Sequence, residues 1–243
     1  MKNEFSRTKL LLGSSAVQKL HDAHIAVFGI GGVGGYVAEA LARSGIFNLD
    51  LIDNDVVSLT NINRQIIALH STIGRPKTDV MKERILDINP KAIVKTFRCF
   101  YLPENSSQFD FSQYDYVIDA VDTVSAKIAL IIQAKESGTP IICSMGAGNK
   151  LDPTAFEITD ISKTSVCPLA RVIRQECKKR GLKDIKVVYS KEKPVRLNPN
   201  DSSDPSDPEP EQKGNSIAPG SCAFVPAVAG LVIAGEVIKD LIK

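Results

Sequence analysis

Residues 24–53 read HIAVFGIGGVGGYVAEALARSGIFNLDLID, and the order of residue types in this stretch decides the fold. His24–Phe28 is a short β-rich run that meets a glycine cluster, and the alanine-rich Tyr36–Arg43 follows. That is the order expected of strand, tight turn and helix. Leu49–Ile52 then reads as a second strand, ending at Asp53. Further along, Pro76 suits a first helical turn and starts a helix through Met81 and Ile85 to a stop at Asn89-Pro90. Tyr116–Ala120 and Pro140–Ser144 are fully apolar strands, separated by the helical Val124–Ser137. The alternation predicts an α/β fold with a Rossmann-like, mostly parallel, doubly wound sheet.

After Gly148 the alternation weakens. Ala155–Ile161 (AFEITDI) predicts an added strand, which makes an antiparallel part, and Val166–Arg180 a helix with a basic outer side. On that helix Arg171, Arg174 and Lys178 lie at steps of three and four, hence on one face, with Lys179, Arg180, Lys183 and Lys186 close behind. Lys191–Gly220, containing NPNDSSDPSDPEPEQKGN, is too poor in apolar residues to offset its ordering entropy, so a mobile crossover loop is expected. The apolar run from Cys222 to Gly235 holds one proline and two glycines and is shorter than the roughly 20 apolar residues of a membrane span. It reads as a buried terminal helix.

With 243 residues and 43% hydrophobic content the chain can bury one large core. A single domain is expected, with a nucleotide-binding part over about 20–148 and a substrate and dimer part over about 149–243. The net charge of +2 permits a nucleic-acid partner without arguing for one. The five cysteines, Cys99, Cys143, Cys167, Cys177 and Cys222, form no CxxC pair, which suits a reducing compartment and leaves a four-sulfur zinc site without ligands. The N-terminal stretch does not read as a signal peptide, so a cytoplasmic location is expected.

Gly29, Gly31, Gly32 and Gly34 follow a strand and open a helix, where the backbone can approach phosphates and the helix N-terminus supplies N–H donors. Asp53 comes about 20 residues later, as expected of a carboxylate that bonds a ribose. These two features alone fit a dinucleotide oxidoreductase. The stretch after Asp53, DVVSLTNINRQ, then GRPK at 74–77 and DAVD at 119–122, points instead to nucleotidyl transfer, because attack at an α-phosphate needs positive groups around the developing charge. Arg64, Gln65 and Lys77 supply polar and positive groups, and Asp122 is a carboxylate able to hold Mg²⁺. Each also has a plain reading: Asp53 capping the next turn, Arg64 and Lys77 as solvated charges, Asp122 as the N-cap of the following helix.

GIGGVG, DNDVVSLTNINRQ, GRPK and DAVD occur in the order found in the adenylyltransferase family of ubiquitin-activating enzymes and the bacterial activators of sulfur-carrier proteins. RTKLLLG, EALARSGI and CPLARVIRQECKKRG more narrowly resemble its tRNA threonylcarbamoyladenosine dehydratase branch, and the resemblance runs from Arg7 to the terminal helix. It implies ATP and Mg²⁺ as cofactors, with Gly29 to Gly34 on the phosphates, Asp53 on the ribose, Asn61 and Arg64 at the phosphate region, Lys77 on the β- and γ-phosphates and Asp122 on the metal. It implies a homodimer in which Arg7 reaches the partner subunit's ATP, a tRNA substrate and an associated cysteine desulfurase and sulfur acceptor. The implied reaction adenylates the carboxylate of the threonylcarbamoyl group, which then cyclises with loss of AMP. The alternatives are adenylation of the C-terminal glycine of a sulfur carrier and an NAD-binding oxidoreductase. Against thioester transfer, the 191–220 segment contains no cysteine, and Cys177 and Cys222 read as small buried thiols.

Overall fold

The computed structural model describes residues 3–196 and 219–243, together with the backbone of two short strands at 212–213 and 216–217. In chain order the elements are α1 (Ser6–Leu12), α2 (Ser14–Asp22), β1 (His24–Phe28), α3 (Gly34–Ser44), β2 (Asn48–Ile52), α4 (Lys77–Ile88), β3 (Ile93–Phe97), β4 (Tyr116–Asp119), α5 (Val124–Ser137), β5 (Ile141–Ser144), β6 (Phe156–Asp160), α6 (Pro168–Lys179), β7 (Lys186–Ser190), β8 (Gln212–Lys213), β9 (Ser216–Ile217) and α7 (Phe224–Ile242). Seven strands form one sheet in the order β3-β2-β1-β4-β5-β7-β6. All neighbours are parallel except β6, which runs antiparallel to β7.

The strands are apolar on both faces because helices cover both. Ile25, Val27, Leu49, Leu51 and Ile118 pack beneath the α2, α3, α4 and α7 layer, joining Leu20, Leu41, Met81 and Ile233. Their alternate neighbours Ala26, Phe28, Val117 and Cys143 face Ile131 of α5, Ile173 of α6 and an aromatic group of Tyr101, Phe109, Phe111 and Tyr114. A parallel sheet of this kind leaves its ligand crevice at the carboxyl ends of the strands where the winding direction reverses, here between β1 and β4.

The order of elements from β1 to β5 and the added strand β6 agree with the sequence reading. That reading does not reach α1, α2, β3 or β7. β3 is a sheet edge with alternating exposure, and β7 is a five-residue strand behind a lysine-rich loop. Most of the expected mobile loop over 191–220 lies outside the described residues; within it β8 and β9 pair antiparallel. Among the described residues no helix is long and apolar enough to cross a membrane.

α7 closes the structure. At one end Lys186 bonds Glu236 at 2.9 Å and Asp240 at 2.5 Å, and the Tyr116 hydroxyl donates to Asp240 at 2.9 Å. Near its middle, Gly230 lies so close to α3 that a β-carbon there would meet the Val33 carbonyl oxygen at 2.5 Å and Tyr36 Cβ at 2.9 Å. Replacing glycine by alanine in a helix ordinarily helps by up to about 1 kcal/mol. Here the backbone contact outweighs that gain, so Gly230→Ala is expected to lower unfolding free energy by about 1–3 kcal/mol in a denaturant titration. An unchanged or raised midpoint would refute this account of the α3–α7 contact.

Candidate nucleotide-binding site

Gly29 follows β1 with φ +90°, and a β-carbon there would lie 2.7 Å from the Ala120 carbonyl oxygen. At Gly34, the first residue of α3, a β-carbon would stand 1.7 Å from the Gly29 oxygen. Neither position accepts a side chain, so the turn folds tightly onto the residues that follow β4. Asp53 fixes the turn from the other side: its Oδ2 accepts the Ile30 N–H at 2.6 Å and its Oδ1 the Asp55 N–H at 2.8 Å. The plain reading of Asp53 as a turn cap is therefore correct, and each oxygen of the carboxylate can accept more than the one bond it makes here. Burial pushes the Asp53 carboxyl above its ordinary range, an effect that nearby Lys77 and the two N–H bonds only partly offset.

Residues 55–77 form a strap over the turn. The Asn61 carbonyl accepts the Arg64 and Gln65 N–H groups at 3.0 and 2.9 Å, making a tight turn that sends both side chains the same way. Arg64 Cγ lies 3.6 Å from the β-carbon position of Gly32, and Gln65 Nε2 lies 4.0 Å from that of Gly31. Arg64 is held by Thr60 O at 2.8 Å and Asn63 Oδ1 at 3.0 Å. Gln65 is 7% exposed, and among the described residues its Oε1 is buried with no hydrogen-bond partner. A buried acceptor without a donor is costly, and its place beside the glycine turn leaves it open to a ligand hydroxyl or a water.

Lys77 is no solvated charge. It is 5% exposed, and its Nζ lies 2.8 Å from Asp55 Oδ2. Asn61 is also buried, accepting the Ser58 N–H through Oδ1 at 3.2 Å. Asp122 is exposed at the carboxyl edge of the sheet, and it is not the N-cap of α5: that place belongs to Thr123, whose hydroxyl donates to Asp122 Oδ1 at 3.4 Å. Asp53, Arg64 and Gln65 thus lie against the glycine turn, Lys77 is close enough to Asp53 to act on its charge, and Asp122 follows the residues that pack on Gly29. A glycine-lined anion cradle flanked by cations, with an acidic group at the end of the second strand, suits a nucleotide.

Comparison with known proteins agrees with this geometry. The ThiF family profile matches residues 5–243. The chain belongs to the ThiF family. It is 45% identical over 244 residues to tRNA threonylcarbamoyladenosine dehydratase of Bacillus subtilis, covering all of this chain and 96% of that protein. It is 46% identical over 177 residues to the Escherichia coli protein of the same name, covering 73% of this chain and 66% of that one. The crystal structure of the E. coli dehydratase in complex with ATP superposes with a TM-score of 0.86 at 38% identity, covering 98% of this chain and 93% of that one.

Three features of this ThiF-family site escape a reading by motif. Residues 220–226 pack beside the turn: Gly220 O accepts the Asn149 N–H at 2.7 Å, Ser221 O accepts from Asn63 Nδ2 at 3.0 Å, and Pro226 Cβ lies 3.3 Å from the β-carbon position of Gly32. Cys222, on that segment, is half-buried with its thiol 3.8 Å from Lys150 O, which corrects the expectation of a small buried thiol; Cys177 is buried as expected. Beneath the crevice lies an ion pair of Asp119 and Lys127, both fully buried. A sequence signal for it exists, since Lys127 shares a core-facing stripe with Leu130, Ile131 and Ala134.

Two other expectations need adjusting. Arg7 is exposed on α1, whose neighbour Phe5 packs against His21, Phe47 and Gly45. That is the far end of α3, about 16 Å of helix from the glycine turn, so the structure does not bring Arg7 to the crevice of its own chain. On α6, Arg171 and Lys178 are exposed, whereas Arg174 turns inward to donate to Thr164 O and Oγ1, both at 2.6 Å.

The raised Asp53 carboxyl sets a pH signature. An aspartate whose ionised form is disfavoured by burial takes up its proton earlier on acidification, and a protonated carboxyl accepts ribose hydroxyls less well. Adenine-nucleotide affinity, titrated from neutral pH to about pH 4, is expected to decline from a higher pH than an ordinary aspartate would dictate. Asp53→Asn is expected to bind about tenfold more weakly and to lose that inflection. Identical pH profiles in the two proteins would exclude Asp53 as the group responsible.

Proposed function

We propose that this chain is an ATP-dependent tRNA threonylcarbamoyladenosine dehydratase, acting as one unit along its whole length. The observation that carries the reading is the convergence of Arg64 and Gln65 on the glycine turn, in a chain that matches the Bacillus subtilis dehydratase end to end. The threonyl carboxylate attacks the α-phosphate of ATP, and pyrophosphate leaves. The acyl-adenylate then yields to a nucleophilic atom of the adjacent carbamoyl group, closing a five-membered ring and releasing AMP. Because that closure is intramolecular, proximity supplies much of its rate and no protein nucleophile is needed.

In this reading the glycine turn and the first N–H groups of α3 cradle the phosphates, and Asp53 bonds the ribose. Gln65 offers its orphaned oxygen to the nucleotide. Arg64 neutralises charge that develops as the phosphorus is attacked. Lys77 exchanges its Asp55 contact for the β- and γ-phosphates. Asp122, exposed at the carboxyl edge of the sheet, would hold a Mg²⁺ through its carboxylate. When bound, that ion neutralises phosphate charge. We further propose a cytoplasmic homodimer. α1 buries none of its residues, and Leu10 and Leu11 are 87% and 82% exposed, an apolar surface that a second copy would cover while bringing Arg7 to the neighbouring ATP. A cysteine desulfurase and sulfur acceptor are proposed as associated partners on the resemblance alone.

ATP–pyrophosphate exchange tests the reading. Exchange is expected with tRNA carrying threonylcarbamoyladenosine, and not with tRNA lacking it or with a glycine-tailed carrier protein; stimulation by the carrier alone would overturn the substrate. Arg64→Ala and Asp122→Ala are each expected to cut exchange by about a hundredfold or more while circular dichroism stays native. Either variant with a wild-type rate would lose its place in the site.

The exposed cations of α6 give a separate check. Arg171→Glu combined with Lys178→Glu is expected to raise KM for tRNA and to reduce the salt dependence of tRNA binding by roughly 1–2 logarithmic units of slope, with ATP affinity unchanged. An unaltered slope would mean that RNA approaches from another side.

A further inference from the structure

The turn after β4 forms the floor of the crevice, and its shape is set from below. Ala120 N–H donates to Phe28 O at 2.8 Å, and the β-carbon position of Gly29 lies 2.7 Å from Ala120 O and 3.0 Å from Val121 N. Any displacement of residues 120–121 therefore displaces the phosphate-binding turn as well. Asp119 Oδ1 accepts the Val121 N–H at 3.2 Å, so the carboxylate immediately before this turn also fixes its backbone. Cys143 is the register partner of Asp119 on β5.

Asp119 is in turn gripped by Lys127. The Lys127 ammonium lies 3.0 Å from each Asp119 oxygen and 2.6 Å from the Ser144 carbonyl oxygen at the end of β5. Its three N–H groups are thus matched by three acceptors. The contacts join α5 to the ends of β4 and β5, bridging the turn that carries Asp122. A buried ion pair is a poor way to obtain stability, since apolar residues of similar volume usually serve as well or better. What the pair supplies is fixed geometry.

We propose that Lys127 is a positioning residue for adenylyl transfer: through Asp119 it locks residues 120–123, and with them the glycine turn and Asp122, in the shape that receives ATP. The clamp touches neither ATP nor the acceptor. It acts through the Val121 N–H and the Gly29–Ala120 contact, and it rests on the adenylation reading given above.

Two double variants of the full chain test it. Lys127→Met with Asp119→Leu removes the polar clamp while keeping the volume apolar. Lys127→Gln with Asp119→Asn keeps hydrogen bonds without charge. The apolar pair is expected to melt at or above the wild-type temperature, yet to bind ATP roughly tenfold to a hundredfold more weakly and to lose kcat by a similar factor, with KM for tRNA unchanged. The amide pair is expected to recover most of the ATP affinity. Wild-type ATP affinity and kcat in the apolar pair would overturn the proposal, as would a deficit that vanishes once activity is corrected for the folded fraction. Should the apolar pair not fold, Lys127→Gln alone decides, a wild-type ATP affinity counting against the clamp. ATP affinity is read without any acceptor, so these outcomes stay separate from failure of the tRNA reading, which shows as absent exchange in the wild-type protein.

Discussion

The Gly29 oxygen stands where a β-carbon at position 34 would have to be, and this contact between the end of a strand and the start of a helix organises the rest of the site. It folds residues 29–33 tightly between the end of β1 and the start of α3. The start of α3 then stands beside the turn, with the positive end of the helix dipole directed at it. The contact also fixes what else can stand nearby. The residues after β4 pack flush against the turn, the strap of residues 55–77 lies over it, and α7 meets its far side through Pro226. A ligand entering between these layers finds donors below and cations above.

Positive charge is brought to that position in two different ways. Arg64 is half-exposed and anchored by two neutral oxygens, so its charge remains available to a ligand. Lys77 is buried but paired with the exposed carboxylate of Asp55. A buried ammonium needs a partner, and Asp55 supplies one that solvent could take back if the lysine were drawn to another anion. The arrangement keeps the unliganded site stable without committing its lysine permanently. Asp53 shows the converse: burial works against its ionised form, and the two N–H bonds work for it, so the carboxylate is held in place while its charge remains sensitive to its surroundings.

Much of this was legible in the residues, for identifiable reasons. Strand, glycine turn and helix from His24 to Ser44 follow from local chemistry, since apolar β-rich residues, a steric need for glycine and a helix-forming run each act over a few positions. The Val124–Ser137 helix was read at both ends for the same reason. What sequence cannot express is direction. Arg174 belongs to the same helical face as Arg171 and Lys178 by spacing, yet Thr164 captures it. The approach of Ser221 to Asn63 and of Pro226 to Gly32 joins residues more than 150 positions apart in sequence, and no local pattern encodes it. Lys127 sits between these cases: helical periodicity puts it in the core, but only the folded sheet identifies Asp119 as the carboxylate that makes a buried cation tolerable.

The distribution of regular and irregular structure around the crevice suggests how one fold serves different acceptors. The groups assigned to ATP stand on strand ends, a helix start and a strap pinned by backbone hydrogen bonds, and all of them are fixed by the first five strands of the sheet. The segments beside them are of another kind: residues 219–226, the loop at 146–150 and the start of α6. There Asn149 bonds both Val195 and Gly220, so both ends of the long crossover segment meet beside the crevice. Val166 adopts φ 47° just before α6, a conformation costly for a β-branched residue, so the surrounding packing must enforce it. Adenylation demands an exact relation between phosphate, cation and carboxylate, which regular elements hold well. Recognition of a large acceptor demands shape that differs among relatives, and irregular segments attached to a rigid frame can change without disturbing it.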